Sequence, residues 1–146
     1  MFKRIVVGVD GSPTSAVALA QAIAIAKDLG AALHVVSAYR SAAELTAMAV
    51  DPVGAGVTIP EEDLREEAED ILRDAAGQAS AAGVAAETTA VASDASEAIL
   101  DTAEGLDADL IIVGNRGMTG ARRLLGSVPN RVAHHAACSV MIVHSG

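Results

Sequence analysis

Aromatic side chains are almost missing from this sequence: Phe2 and Tyr39 stand alone, and there is no Trp. A platform for single-stranded nucleic acid needs several aromatic faces on which bases can stack, so this scarcity argues against that class of partner. The core has to be aliphatic, built from Ala, Val, Ile and Leu. Cysteine is equally scarce. A lone Cys138 forms no internal disulfide, and there is no CxxC or Cys/His ligand spacing. That pattern fits a reducing cytoplasm and argues against structural zinc. Long apolar runs are missing too. The longest, Ala16 to Ala26, is broken by Gln21 and closed by Lys27 and Asp28, well short of the roughly 18 residues of a bilayer span. Lys3 and Arg4 precede a second apolar run, but Asp10 interrupts it too early for a signal-peptide core. The expectation is a cytoplasmic chain with no membrane association.

Basic residues are few: 10 Lys plus Arg against 19 Asp plus Glu, a formal charge of −9. The charge is unevenly placed. Residues 1–109 hold all 19 carboxylate side chains and six of the basic ones, a local −13, whereas residues 110–146 carry only Arg116, Arg122, Arg123 and Arg131, a local +4. Four arginines within sixteen positions make a patch for a small anion rather than a track for duplex DNA. A nucleic-acid partner is not expected.

At 146 residues the length suits one domain, 1–146, with one sizeable core. Five β-rich runs alternate with helical stretches, which predicts an α/β fold with a parallel sheet covered on both faces. The strand runs are 4–9, 33–36, 84–91, 110–113 and 140–143. Ser12 offers an N-cap and Pro13 a first-turn residue for a helix ending near Leu29, with Gly30 as its cap. Residues 41–59 read as a long loop with a short helical piece around Ala43 to Ala49, and loops of that length are often lids or binding loops. Pro60 opens a helix running to about Ala82, closed by Gly83. Glu87, Thr88 and Thr89 would be awkward between two buried faces, so the third strand belongs at an edge. Asp94 starts the next helix with Glu97 three residues on, as in a capping box. The fourth strand is uninterrupted aliphatic sequence and central, and a helix over about 127–136 leads to the last strand.

The segment of greatest chemical interest runs from Gly114 to Pro129. It leaves a central strand and enters a helix N-terminus, where amide groups and the helix dipole favour an anion. Glycines without Cβ atoms let the main chain fold closely around phosphate oxygens. Arg116, Arg122 and Arg123 support that reading, and Ser127 adds a hydroxyl. The alternative is that the glycines merely shape turns. Asp10, just past the first strand, is the second candidate. In a doubly wound sheet, ligands bind at the carboxyl ends of strands where the winding reverses. A carboxylate there accepts hydrogen bonds from a ribose or lies near Mg2+ on phosphates; equally, Asp10 could cap the Pro13 helix.

Other sites can be set aside. There is no G-x-x-x-x-G-K-[ST] run, no G-x-G-x-x-G fingerprint and no G-x-S-x-G elbow. His134 and His135 are adjacent and point about 100° apart on a helix, so they do not chelate one metal. His34 reads as a hydrogen-bonded packing residue and His144 as part of a strand end. Nothing near Cys138 suggests an activated thiol.

Taken together, Val7-Gly8-Val9-Asp10-Gly11-Ser12, Val113-Gly114-Asn115-Arg116-Gly117 and Leu125-Gly126-Ser127-Val128-Pro129 resemble the universal stress protein family over nearly the whole chain. The resemblance implies a Rossmann-like five-stranded parallel sheet of order 3-2-1-4-5 and a homodimer joined through the final strands. In one subgroup it also implies ATP held by a G-x2-G-x9-G-[ST] motif. Carried over by position, Asp10 meets the ribose or metal side, and Val35 with the backbone of Gly8 and Val9 borders adenine. Val113, Gly114, Asn115, Arg116, Gly117, Gly126, Ser127 and Val128 surround ribose and phosphates. The sequence departs from the motif in one place: eight residues, Met118 to Leu125, separate Gly117 from Gly126 where nine are expected. One residue fewer in a helical turn rotates the downstream residues by about 100°.

The resulting expectation is a cytoplasmic stress-related ATP-binding protein acting as a regulatory switch on an unidentified protein partner, with Mg2+ present only alongside nucleotide. Three alternatives stand beside it. One is a dimeric interaction module without nucleotide, and another is a cyclic AMP binder. The third is a slow ATPase or self-phosphorylating protein using Ser127, Ser12 or Thr119. Against the third, no base is evident for a water and no lysine is dedicated to the phosphates.

Overall fold

A computed structural model describes residues 1–43, 60–115 and 127–145. Strand β1 (Arg4–Gly8) is followed by helix α1 (Pro13–Leu29), β2 (Ala32–Tyr39), α2 (Glu61–Ala81), β3 (Ala86–Ala92), α3 (Ala95–Gly105), β4 (Leu110–Gly114), α4 (Val128–His135) and β5 (Ser139–Val143). The strands form one sheet of order β3-β2-β1-β4-β5, parallel throughout. The winding reverses between β1 and β4, which pair with Val7 opposite Ile112. Beyond Ala42 and Ala43, the short helical piece expected up to Ala49 lies outside the described residues, as do Arg116, Gly117, Thr119 and Gly126.

The period of two along the strands sorts the core into two layers. Ile5, Val7, Leu33, Val35, Leu110 and Ile112 face one side, where they meet Ala18, Leu19, Ala22 and Ala26 of α1 and Leu72, Ala75 and Ala79 of α2. Val6, Val36, Ile111 and Val113 face the other, against Ala98, Ile99 and Ala103 of α3 and Val132 of α4. The alanines at i, i+4 spacing on α1 let that helix lie close to the sheet without aromatic filler.

Local chemistry sets the helix boundaries. Ser12 accepts a hydrogen bond from the Ser15 N–H, Pro13 follows at the first turn, and Gly30 closes α1 in the left-handed region at φ 63°. Asp94 Oδ1 accepts from the N–H groups of Ser96 and Glu97 at 2.8 and 3.2 Å. Ser127 caps α4 by accepting from the Asn130 N–H at 3.4 Å. The expected edge position of β3 and the interior position of β4 are both observed. One strand is longer than its apolar run suggests. The run covers Leu33 to Val36, but β2 continues to Tyr39, because its ladder with β3 runs on through Ser37, Ala38 and Tyr39 after β1 has ended opposite Val36.

Candidate functional site

The carboxyl ends of β1, β2 and β4 open on the same edge of the sheet, and three helix N-termini, those of α1, α3 and α4, start there. Such an edge gathers backbone N–H groups and positive dipole ends, which suits an anion.

Asp10 lies exposed at the start of this crevice. Its Oδ1 accepts from the Ser12 N–H at 2.9 Å, while its own N–H donates to Ser15 Oγ at 3.3 Å. The helix cap is Ser12, so the carboxylate forms the turn ahead of the cap, and among the described residues its Oδ2 has no partner. Gly11 follows at φ 80°, a conformation that side chains rarely adopt.

Two site glycines are required by close packing inside the protein. A Cβ at Gly8 would lie 2.5 Å from Ile99 Cδ1, so this position is where α3 presses on the sheet. A Cβ at Gly114 would lie 2.5 Å from Thr14 Cγ2 and 3.0 Å from the Thr14 carbonyl oxygen. The exit of β4 thus nests against the first turn of α1, which brings Asp10 and the Gly114 end of the glycine segment to one crevice.

Asn115 is committed to the segment after β5. Its N–H donates to the Val143 carbonyl at 2.9 Å. Its Oδ1 accepts from the Ser145 N–H and Oγ at 3.2 and 3.1 Å, and its Nδ2 lies 2.7 Å from His144 Nδ1. Ser127 and Val128 begin α4 at the same edge, and Arg131 pairs with Asp94 at 3.6 Å, tying the starts of α4 and α3.

Val35 lies deep in the sheet. It pairs with Val7, in the middle of the sheet, and is 0% exposed, so its side chain presents no surface to the crevice. The Val9 N–H donates to the Val36 carbonyl, so the residues of β2 that flank Val9 and Asp10 are Ser37 and Ala38. Sequence reasoning passes over Ser37. It is 2% exposed, on the same face as Val35, and its Oγ is the buried side-chain oxygen without a hydrogen-bond partner among the described residues. The one available signal is a serine in an otherwise apolar strand.

The remaining candidates behave as packing groups. His34 Nε2 lies 2.7 Å from Thr89 Oγ1, and Nδ1 is 3.7 Å from Glu87 Oε2. Burial lowers its pKa, against the opposing charge of Glu87. Burial likewise pushes the Cys138 thiol up, helped by the Asp109 charge. Among the described residues no cluster of His, Cys, Asp and Glu could hold a metal, and no helix is long and apolar enough to cross a membrane. A separate hollow of about 520 Å³ lies at the opposite, amino edge of the sheet, against Arg4, Leu33, His34, Glu87 and Leu106.

Comparison with known proteins agrees with this architecture. The chain is 33% identical to the universal stress protein YxiE of Bacillus subtilis over 98% of this chain and 99% of that one. It is 36% identical to the universal stress protein Rv1636 of Mycobacterium tuberculosis over 99% and 97%. Among solved structures, a universal stress protein in complex with cAMP superposes with a TM-score of 0.75 at 34% identity, covering 99% of each chain. Residues 1–144 match the universal stress protein family, and the chain belongs to that family.

Proposed function

We propose that this protein binds an adenine nucleotide at the carboxyl ends of β1, β2 and β4 and acts in the cytoplasm as a ligand-responsive regulatory protein. The observation that carries the reading is the meeting of Asp10, whose Oδ2 has no partner among the described residues, and the Gly114 exit of β4 across the Thr14 contact. The residues present fit such a ligand. Asp10 Oδ2 can accept from ribose hydroxyls, and the buried Ser37 hydroxyl is a polar group without a partner among the described residues. Ser127 uses a lone pair to cap α4 and keeps its hydrogen to donate to a phosphate oxygen. Gly8 and Val9 supply the floor of the site, and Val113, Gly114, Asn115, Arg116, Gly117, Gly126, Ser127 and Val128 the phosphate side.

ATP is the first candidate, with Mg2+ accompanying the phosphates near Asp10. Cyclic AMP is the second. It is favoured by the complex of the 34% identical relative and by the eight-residue spacing before Gly126, since a single cyclic phosphate needs less of the cradle. A homodimer through β5, whose Ile142 is 45% exposed on an edge strand, completes the reading. Isothermal titration with ATP, ADP and cyclic AMP, with and without Mg2+, tests it. Saturable binding of one of them at one site per chain is expected, and no binding of any would refute it.

A further inference from the structure

We infer that Asn115 is a positioning residue that, together with His144 and Ser145, clasps the entrance of the glycine segment and so tunes phosphate binding; this rests on the adenine-nucleotide reading above. Asn115 is the second residue of that segment, directly after Gly114. Among the described residues its four polar contacts all run to 143–145: its N–H to the Val143 carbonyl, its Oδ1 from the Ser145 N–H and Oγ, and its Nδ2 to His144 Nδ1.

The pattern fixes the chemistry of each partner. Because Oδ1 accepts from the Ser145 N–H, the amide cannot be turned over, and Nδ2 must donate. His144 Nδ1 is then the acceptor, and the imidazole proton sits on Nε2. Ser145 Oγ also lies 3.4 Å from Thr14 Oγ1, so the clasp reaches the first turn of α1, where Thr14 already touches Gly114. The exit of β4 is held from two sides, by Thr14 of α1 and by residues 143–145 after β5. The position of Gly114 and Asn115 at the end of β4 is set by these contacts. A phosphate cradle whose first residue is fixed in advance loses less conformational entropy on binding.

The test compares ATP affinity and amide hydrogen exchange at Asn115 in the full chain and in Asn115→Ala, Ser145→Ala and Ser145→Thr. Asn115→Ala and Ser145→Ala are expected to weaken ATP binding about tenfold and to speed exchange at residue 115 by a similar factor, the effect of losing about one net hydrogen bond. Ser145→Thr keeps both the hydroxyl and the N–H and should restore wild-type affinity. If Asn115→Ala fails to fold, Ser145→Ala removes a single oxygen and still decides the matter. Unchanged affinity in Ser145→Ala, or failure of Ser145→Thr to restore a loss, would overturn the inference. If the wild type binds no adenine nucleotide, the functional reading fails and takes the ligand half of the inference with it. The exchange rates then still decide whether the clasp holds the exit of β4.

Discussion

Asp10 Oδ1 holds the turn that leads into α1, and its Oδ2, without a partner among the described residues, is the oxygen the proposed function gives to the ligand. Removing it should therefore separate two effects. Asp10→Ala is expected to weaken nucleotide binding by about 1.5–3 kcal/mol, the range for a hydrogen bond to a charged group, and to cost the fold about 1 kcal/mol. Titration calorimetry reads the first and urea denaturation the second. Gly114 behaves in the opposite way. Gly114→Ala places a methyl 2.5 Å from Thr14 Cγ2 and 3.0 Å from its backbone oxygen, so the first turn of α1 has to move. A loss of about 1–3 kcal/mol in the urea experiment is expected, as for other overpacked sites. Gly77 is the control: nothing lies within 4 Å of its Cβ position in the interior of α2, so Gly77→Ala should stabilise by about 0.5–1 kcal/mol.

His34 carries a pH dependence. Burial lowers its folded pKa against the pull of Glu87. The unfolded chain therefore takes up a proton as pH falls past about 6.5, where the folded protein resists it, and stability is lost progressively below that point. Above it the contribution is fully present. Urea midpoints measured between about pH 7.5 and about pH 5.5 should fall in the wild type, and the decline should be shallower in His34→Gln. An equal decline in both would contradict the assignment. Asp109, whose carboxyl is held low first by the Lys3 N–H, adds a second loss as pH falls through and below the ordinary carboxylate range.

At the scale of elements, the caps carry much of the definition. Asp94 accepts from two N–H groups at the start of α3 and also pairs with Arg131. Asp94→Ala is expected to cost about 0.5–2 kcal/mol through the cap. Arg131→Ala should cost less than about 1 kcal/mol, because the pair is part-exposed and screened. Chemical denaturation of the two variants and the double mutant checks the ranking.

These boundaries are legible in the sequence because caps are local. Ser12-Pro13, Gly30 and Asp94 announce themselves within a few residues, while the cap at Ser127 emerges from the structure. The length of β2 is not legible. Ser37, Ala38 and Tyr39 are held by a ladder with β3, fifty residues on, and nothing local distinguishes them from a loop. The family resemblance carries the adenine side to Val35, and the register places that residue in the middle of the sheet. The bonds from Asn115 to His144 and Ser145 are hidden for the same reason, since they join residues 29 and 30 positions apart.

For the whole molecule, the order β3-β2-β1-β4-β5 makes the crevice. Reversal of winding between β1 and β4 puts the loops after both strands on one edge, with α1, α3 and α4 starting beside them. Five apolar runs alternating with helices give the parallel sheet, the resemblance to the universal stress protein family implies its order, and the architecture matches that family over nearly the entire chain. The charge distribution has the same sense: four arginines and no carboxylate side chain beyond Asp109 place the positive part of an acidic protein on the segment after β4.

The most direct test of the central claim is an amide NMR titration of the labelled protein with Mg2+-ATP, repeated with cyclic AMP. Saturable shifts are expected at residues 8–12, 37–38, 114–115 and 127–128, abolished or weakened in Asp10→Ala. Saturation with neither ligand would contradict it. So would shifts gathered at the amino edge around Arg4, Leu33 and Leu106.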